Sequence, residues 1–423
     1  MLEFWYPFDL RVSGKDLIQN HLTFSLYNHT AIWPGGENNP KGFRCNGHLL
    51  LNSEKMSKST GNFKTLSEAI AEYSADAMRW ALADAGDGMD DANFETSTAN
   101  AAILRVTKEL AWMEEMLGPE AGLRDGPPAT MHDRVFENEL NIAVFRSKEA
   151  YDKLLFREAL KCAGYDLGNA RDVYRFACGP EGMNRGLALR YMELSCLLLA
   201  PITPHTSEHV WSVLLTRQGS VLRAGWPTAA EPDFIMQRAA QYIEDMIPSM
   251  RKLIAKAEAP PKKKKADEPP PPKITHGQVW VSERFVGWQE AVLHALQAKY
   301  DAAANSFAAD TVPAVLDAVK AAGDADLNEK QLKQLAMPFA RYKMDEALKG
   351  GKQVLDVKLP FDEAQLLRDN LPYLLRSLNL EGLQISSAAA ADAPAAAAAA
   401  GPGTPHIHFT AGAPAAAAVG AAS

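Results

Sequence analysis

The hydrophobic pattern changes period along the chain. Over residues 1–96 short apolar runs alternate with Gly, Asn and Asp turns, which predicts strands, loops and a helix. From about 97 to 255 the period becomes helical. Ile103, Val106, Leu110, Met113 and Leu117 recur at three- and four-residue spacing, and Leu187, Tyr191, Leu194 and Leu198 repeat it. Each such stripe needs another to bury it, so an α-helical bundle is predicted.

Residues 256–273 break the pattern with prolines and a run of four lysines, the composition of an extended, self-repelling linker. Beyond it, Val279–Val281 reads as a strand, and Val292, Leu296 and Tyr300 line a helix. Leu355, Val357 and Leu359 alternate with Asp356 and Lys358 as in a half-buried strand. Leu367, Leu371, Leu374 and Leu378 share a helix face, and Leu383 and Ile385 begin a further strand. Residues 274–386 therefore predict a small α+β domain. The final segment, 387–423, is dominated by alanine and carries one charged side chain, Asp392. No amphipathic stripe runs through it, so it is expected to be disordered.

Composition narrows the picture. At 423 residues with 47% apolar and 23% charged side chains, the chain is long and apolar enough for two or three packed domains. A net charge of −8 supplies no global basic field, so a polyanion must be met by local patches. Cys45, Cys162, Cys178 and Cys196 lie far apart with no C-x-x-C pair, which disfavours a disulfide framework or a cysteine zinc site. No apolar run approaches the ~18 residues of a membrane span. The first residues lack the basic start of a signal peptide.

The most specific segment is Lys55-Met56-Ser57-Lys58-Ser59-Thr60-Gly61-Asn62, directly after the apolar Gly47–Leu51. Two lysines three apart in a Ser/Gly loop can close over a triphosphate and meet the charge that develops as pyrophosphate leaves. A cation placed in this way contributes about 3 kcal/mol to a transition state. The plain alternative is a solvated polar loop. Upstream, Ser13-Gly14-Lys15-Asp16 precedes His21: a glycine lets backbone approach a ligand, and a carboxylate can accept from ribose hydroxyls. Alone, that pattern also fits an acidic turn.

Lys55–Ser59 spell KMSKS, the second signature of class I aminoacyl-tRNA synthetases. The surrounding FRCNGHLLLNSEKMSKSTGNF resembles leucyl-tRNA synthetase of the eukaryotic cytosolic and archaeal type. The resemblance also covers DLRVSGKDLIQNHLTFSLYNH, YSADAMRWALA, DDANF at 90–94, LLLAPITPHTSEHVW and LDVKLPFDEAQLLRDNLPYLLRSLNLEGLQI, or residues 6 to 386. It implies an α/β remnant of a Rossmann-like class I catalytic domain over 1–96. An anticodon-binding-type helical bundle over 97–255 and a C-terminal extension over 274–386 follow. It also implies a cytoplasmic enzyme that activates leucine with ATP and Mg²⁺ and charges tRNA(Leu). By the same resemblance Lys55 and Lys58 neutralise the leaving pyrophosphate, and Ser57 and Ser59 shape the loop. Met56 lies in the nucleotide-facing signature, Gly14 and Asp16 hold the ribose, and His21 supports them. An isoleucine or valine enzyme shares the loop signature, and a non-catalytic tRNA-binding scaffold is the alternative of another class.

No H-x-G-H string of the first signature precedes Gly14, and the family's leucine pocket and editing domain are not in this sequence. The expectation is a C-terminal fragment, inactive by itself, because differential binding of a transition state needs both walls of the site. His205, Glu208 and His209 form H-x-x-E-H, which can mark a zinc site. Here Thr203 and Pro204 place it at a helix start in the bundle, and no metal site is expected. Lys262–Lys265 read as a charged spacer rather than a phosphate contact. Trp211, Trp226, Trp280 and Trp288 read as packing residues.

Overall fold

The structure is a computed structural model that describes residues 2–57, 59, 61–259, 271–285, 287–323, 328–391 and 393–412. Two compact units divide between Asp233 and Phe234.

In the first unit, after a short helix Leu2–Trp5, β1 (Arg11–Gly14) and β2 (Phe43–Asn46) pair in parallel with Arg11 opposite Phe43 and Gly14 opposite Asn46. A parallel pair needs a crossover, supplied by the helix Thr23–Ile32. A second small sheet follows. β3 (Leu49–Leu51) pairs antiparallel with β4 (Glu54–Lys55) and parallel with β5 (Ala92–Phe94). Its crossover is the helix pair Leu66–Tyr73 and Ala75–Ala85, the first opened by a Thr65/Glu68 capping box. Leu51, Tyr73, Ala81, Phe94 and Ala99 form the core under this sheet.

The helices Thr96–Leu117, Met131–Asp152, Leu167–Cys178 and Arg185–Leu199 make the bundle. The Leu187, Tyr191, Leu194, Leu198 stripe is buried throughout, as its spacing requires. On Thr96–Leu117 the predicted stripe holds except at its end: Met113 is buried, Ile103, Val106 and Leu110 are half-buried and packed on the cores, and Leu117 is exposed, while Ala99, Ala102, Trp112 and Met116 widen the buried face.

The catalytic-type segment is latched to the bundle by polar groups. Arg79 donates from Nε to the Ile202 carbonyl (2.8 Å) and from its guanidinium to the Pro201 carbonyl (2.7 Å). Buried Asp76 accepts from the Thr206 hydroxyl at 2.6 Å and from the His205 N–H at 3.4 Å. Glu208 turns inward and accepts from the Ser220 hydroxyl (2.8 Å) and the Val221 N–H (3.0 Å). The H-x-x-E-H glutamate thus closes a loop of the bundle, while His205 and His209 are exposed.

The second unit opens with the helix Phe234–Glu258, so this last helical stretch clusters with the C-terminal unit rather than with the bundle. β6 (His276–Val281) follows, then the hairpin β7 (Tyr300–Asp301) and β8 (Ser306–Phe307), then β9 (Gly382–Ser387) and β10 (His406–Thr410). β6 is central, parallel to β9 and antiparallel to β10. The helices Gly287–Lys299, Thr311–Ala322 and Glu329–Gly350 enclose a core containing Trp288, Val292, Leu296, Val315 and Leu355.

Two expectations need correction. Residues 355–359 are not a strand: a 3₁₀ turn, Lys352–Leu355, runs into irregular backbone. Leu355 is buried and Val357 half-buried, so the alternation reported which side chains face inward, not a ladder. Residues 393–412 of the alanine-rich tail are ordered. His406–Thr410 supply β10, whose His406 ring lies 5.6 Å from that of Trp280. The Gly403 N–H donates to Glu363 at 3.1 Å. The aromatic and β-branched residues of this strand are outnumbered by alanine in any composition average, yet they fit an open sheet edge. Residues 260–270, which include Lys262–Lys265, and 413–423 lie outside the described residues.

Candidate active site

The signature loop hangs from the β3–β4 hairpin. Its two turn residues, Asn52 and Ser53, both adopt positive φ (51° and 68°), the geometry of a two-residue primed turn that matches strand twist. Serine is strained there, and Asn93 compensates: its side-chain oxygen accepts from the Ser53 N–H at 2.7 Å and its amide donates to Ser53 Oγ at 3.0 Å. The Asn52 N–H donates to the Phe94 carbonyl (3.0 Å), and Asn52 Oδ1 accepts from the Thr96 N–H (3.1 Å). A hairpin tied at both turn residues delivers Lys55 to a fixed point, where it is exposed.

Beyond Lys55 the loop closes on itself. The Ser57 N–H donates to the Asn62 carbonyl at 3.0 Å, and the Asn62 amide donates to the carbonyls of Lys55 (3.3 Å) and Leu51 (3.4 Å). Ser57 and Ser59 share a hydroxyl–hydroxyl bond of 2.8 Å. Met56 is half-buried on the Leu51–Tyr73–Phe94 core, so this signature residue anchors the loop from below. Lys58 and Thr60 lie outside the described residues.

The second group of predicted residues stands at the end of β1. Asp16 is exposed, and its carboxylate folds back over Gly14: a Cβ on Gly14 would lie 2.7 Å from Asp16 Oδ1. His21 is exposed one helical turn on, and its Nε2 accepts from the Arg11 guanidinium, which ties it to the start of β1.

Around Asp16 the structure assembles residues that spacing could not reveal. His48 Nε2 lies 3.8 Å from Asp16 Oδ1, while its Nδ1 lies 3.4 Å from Asp91 Oδ1. The same Asp91 oxygen accepts from the His48 backbone N–H at 2.8 Å and pairs with the Lys15 ammonium at 2.6 Å. Lys15 also reaches the Met89 carbonyl at 3.3 Å. Within β2, Arg44 donates to the Asp87 carbonyl (2.8 Å), and just past its end the Gly47 N–H donates to the Gly88 carbonyl (3.1 Å). Residues 87–91 thereby clasp the C-terminal ends of β1 and β2. Lys15 sits inside the S-G-K-D string and Asp91 inside DDANF, but nothing local joins positions 15, 48 and 91.

The Lys15 ammonium, and then the His48 backbone N–H, hold the Asp91 carboxyl down to about 2 from an ordinary 3.8. A lowered carboxyl pKa means that the pair's contribution is complete above 3.8 and is lost as the pH falls through about 2. A ¹³C NMR titration of the aspartate carboxyls is expected to find Asp91 near that lower value, and Lys15→Met should return it toward 3.8. A Lys15→Met titration unchanged from wild type would contradict the pairing. Among the described residues no group of three or more His, Cys, Asp or Glu side chains could hold a metal ion.

These elements meet known proteins at every level. Residues 4–112 match the model for class I tRNA synthetases (M), and residues 133–268 match that for the anticodon-binding domain of tRNA ligase. The cytoplasmic leucine–tRNA ligase of Arabidopsis thaliana is 50% identical over 392 residues, covering 92% of this chain and 36% of that protein. Over nearly its whole length the chain is similar to leucine–tRNA ligases.

Other leucine–tRNA ligases are similar over different lengths. The cytoplasmic enzyme of Pongo abelii is 42% identical over 92% of this chain and 32% of its own length. The leucine–tRNA ligase of Aeropyrum pernix is 41% identical over 54% of this chain and 23% of its own. The chain therefore spans about a third of the length of the leading curated relatives it matches. Among solved structures it is similar to the ternary complex of Agrobacterium radiobacter K84 agnB2 LeuRS-tRNA-LeuAMS, at TM-score 0.44 and 23% identity, covering 53% of this chain and 29% of that one. The fold is class I synthetase-like with an anticodon-binding domain, and helix predominates. The Arabidopsis and Pongo relatives are named cytoplasmic, and no helix among the described residues is long and apolar enough to cross a membrane.

Proposed function

We propose that this chain supplies the adenosine-side and pyrophosphate-side wall of a leucine–tRNA ligase, together with its tRNA-binding bundle. The observation that carries this reading is 50% identity to such an enzyme across 92% of the chain, with the KMSKS loop held on a rigid hairpin. In the reaction the leucine carboxylate, already ionised at neutral pH, attacks the α-phosphorus of ATP. The new carboxyl–phosphate bond forms as the bond to pyrophosphate breaks, and the aminoacyl group then passes to a terminal ribose hydroxyl of tRNA(Leu). Lys55 and Lys58 neutralise the departing pyrophosphate. Ser57, Ser59 and Met56 fix the loop that carries them. Gly14 leaves room for the Asp16 carboxylate, which accepts from the ribose, and His21 braces the turn through Arg11. Mg²⁺, typical of the class, would ride on the phosphate oxygens of ATP and add positive charge there.

Two measurements on the purified chain test this reading: retention of tRNA on filters, and leucine-dependent ATP–pyrophosphate exchange. Retention is expected, and it should weaken steeply with salt because phosphate contacts release counterions. No exchange is expected from the chain alone, since no H-x-G-H string is present to build the opposite wall. Exchange above background would overturn the half-site assignment, and Lys55→Ala should then reduce it on the order of 10²-fold. Exchange supported by isoleucine or valine in place of leucine would redirect the specificity. A folded chain that does not retain tRNA would remove the bundle's proposed partner.

A further inference from the structure

We infer that Asp91 is a positioning residue for the adenosine wall, fixing through Lys15 and His48 where the Asp16 carboxylate stands. Asp16 lies just past the end of β1, exposed, with no strand partner of its own. What limits its position is its neighbours. Lys15, next in the chain, is drawn onto Asp91 at 2.6 Å. His48, in the link between β2 and β3 with its Nε2 3.8 Å from Asp16 Oδ1, is held by the same Asp91 oxygen through its backbone N–H at 2.8 Å, and its Nδ1 lies 3.4 Å from that oxygen. Both constraints on Asp16 therefore converge on one atom contributed by the 87–91 clasp, some 75 residues away in sequence.

Stability alone gives little reason for this arrangement. The Lys15, Asp91 and His48 side chains are 33%, 39% and 47% exposed, and ion pairs this open add little to folding. They do set geometry: a carboxylate that must meet a ribose hydroxyl has to be within a fraction of an ångström of its place. The His48 ring can donate from Nε2 toward Asp16 while its backbone N–H is bonded to Asp91, which makes it the link between the two carboxylates.

This role rests on the nucleotide reading of Gly14 and Asp16, and the test separates the two. Asp91→Asn, Asp91→Glu and Lys15→Met are made in the full chain, with aspartate ¹³Cγ labelling, thermal melts and AMP as the probe ligand. Asp91→Asn is expected to melt with wild type, to shift the Asp16 carboxyl resonance without ligand, and to weaken AMP binding roughly tenfold. Asp91→Glu should restore part of both, and Lys15→Met, which removes one of the two constraints, should move Asp16 less. An Asp16 resonance and AMP affinity unchanged in Asp91→Asn would overturn the inference. So would a lowered melting point with no rescue by Asp91→Glu, the mark of a merely structural role. If wild type binds no AMP while the Asp16 resonance still moves in Asp91→Asn, the positioning stands and the nucleotide reading fails.

Discussion

Asp133→Ala is expected to destabilise the bundle by about 3–5 kcal/mol, the range for breaking one side of a buried charge pair. Asp133 is fully buried near the start of the helix Met131–Asp152. It accepts from the Arg124 guanidinium (2.7 Å), the Tyr174 hydroxyl and the N–H groups of Ala129 (2.9 Å) and Thr130 (3.0 Å). Alanine leaves all four donors without an acceptor. At the scale of the first unit, that loss lowers a melting temperature by on the order of 10 °C. Burial alone would push this carboxyl up; the bonds from Arg124 and Tyr174 overcome it and hold it far below the usual range. The unfolded chain takes up the proton near pH ~4, so the contribution is complete above that pH and shrinks as the pH falls below it. Melts of wild type and variant at pH 7 and pH 3 check this: the gap should narrow at the lower pH. An equal gap at both would show that the carboxylate charge is not what matters.

Gly47→Ala is expected to dismantle the adenosine wall while leaving the bundle folded. A Cβ at Gly47 would lie 2.1 Å from the Asp90 carbonyl oxygen, 2.4 Å from its carbon and 2.8 Å from the Asp91 nitrogen. All three are backbone atoms, so no rotamer change relieves the clash, and the cost reaches about 3 kcal/mol or more. The clasp must lift from β2, breaking the Gly47–Gly88 bond of 3.1 Å and the His48–Asp91 bond of 2.8 Å. Hydrogen–deuterium exchange is expected to show lost protection over 11–14, 43–48 and 87–91. Protection over Met131–Asp152 and Arg185–Leu199 should be kept. Intact protection at the strand ends would mean that the clasp is not seated on Gly47.

How much of this was legible depends on the range of the interaction. Leu187, Tyr191, Leu194 and Leu198 were readable as a buried face because helical periodicity is local. The KMSKS run was readable because five adjacent residues must act together, and its hairpin adds only the detail that Asn93, forty residues on, holds the turn. Glu208 shows the opposite case. Its spacing to two histidines fits a metal motif, yet Ser220 and Val221 occupy its carboxylate. The 355–359 alternation likewise described inward and outward side chains without naming a backbone partner.

The sequence by itself determined the helical bundle, the signature loop and the likeness to leucine–tRNA ligases, since each is written in contiguous residues or short periods. Only the tertiary structure decided that β10 closes the sheet edge and that Asp133 gathers four donors. Only there do Lys15, Asp16, His48 and Asp91 stand together. Those choices depend on which distant backbone lies within a few ångströms, and strand ends such as Gly14, Asn46 and Gly47 meet residues 87–91 only once the parallel crossovers have brought them side by side.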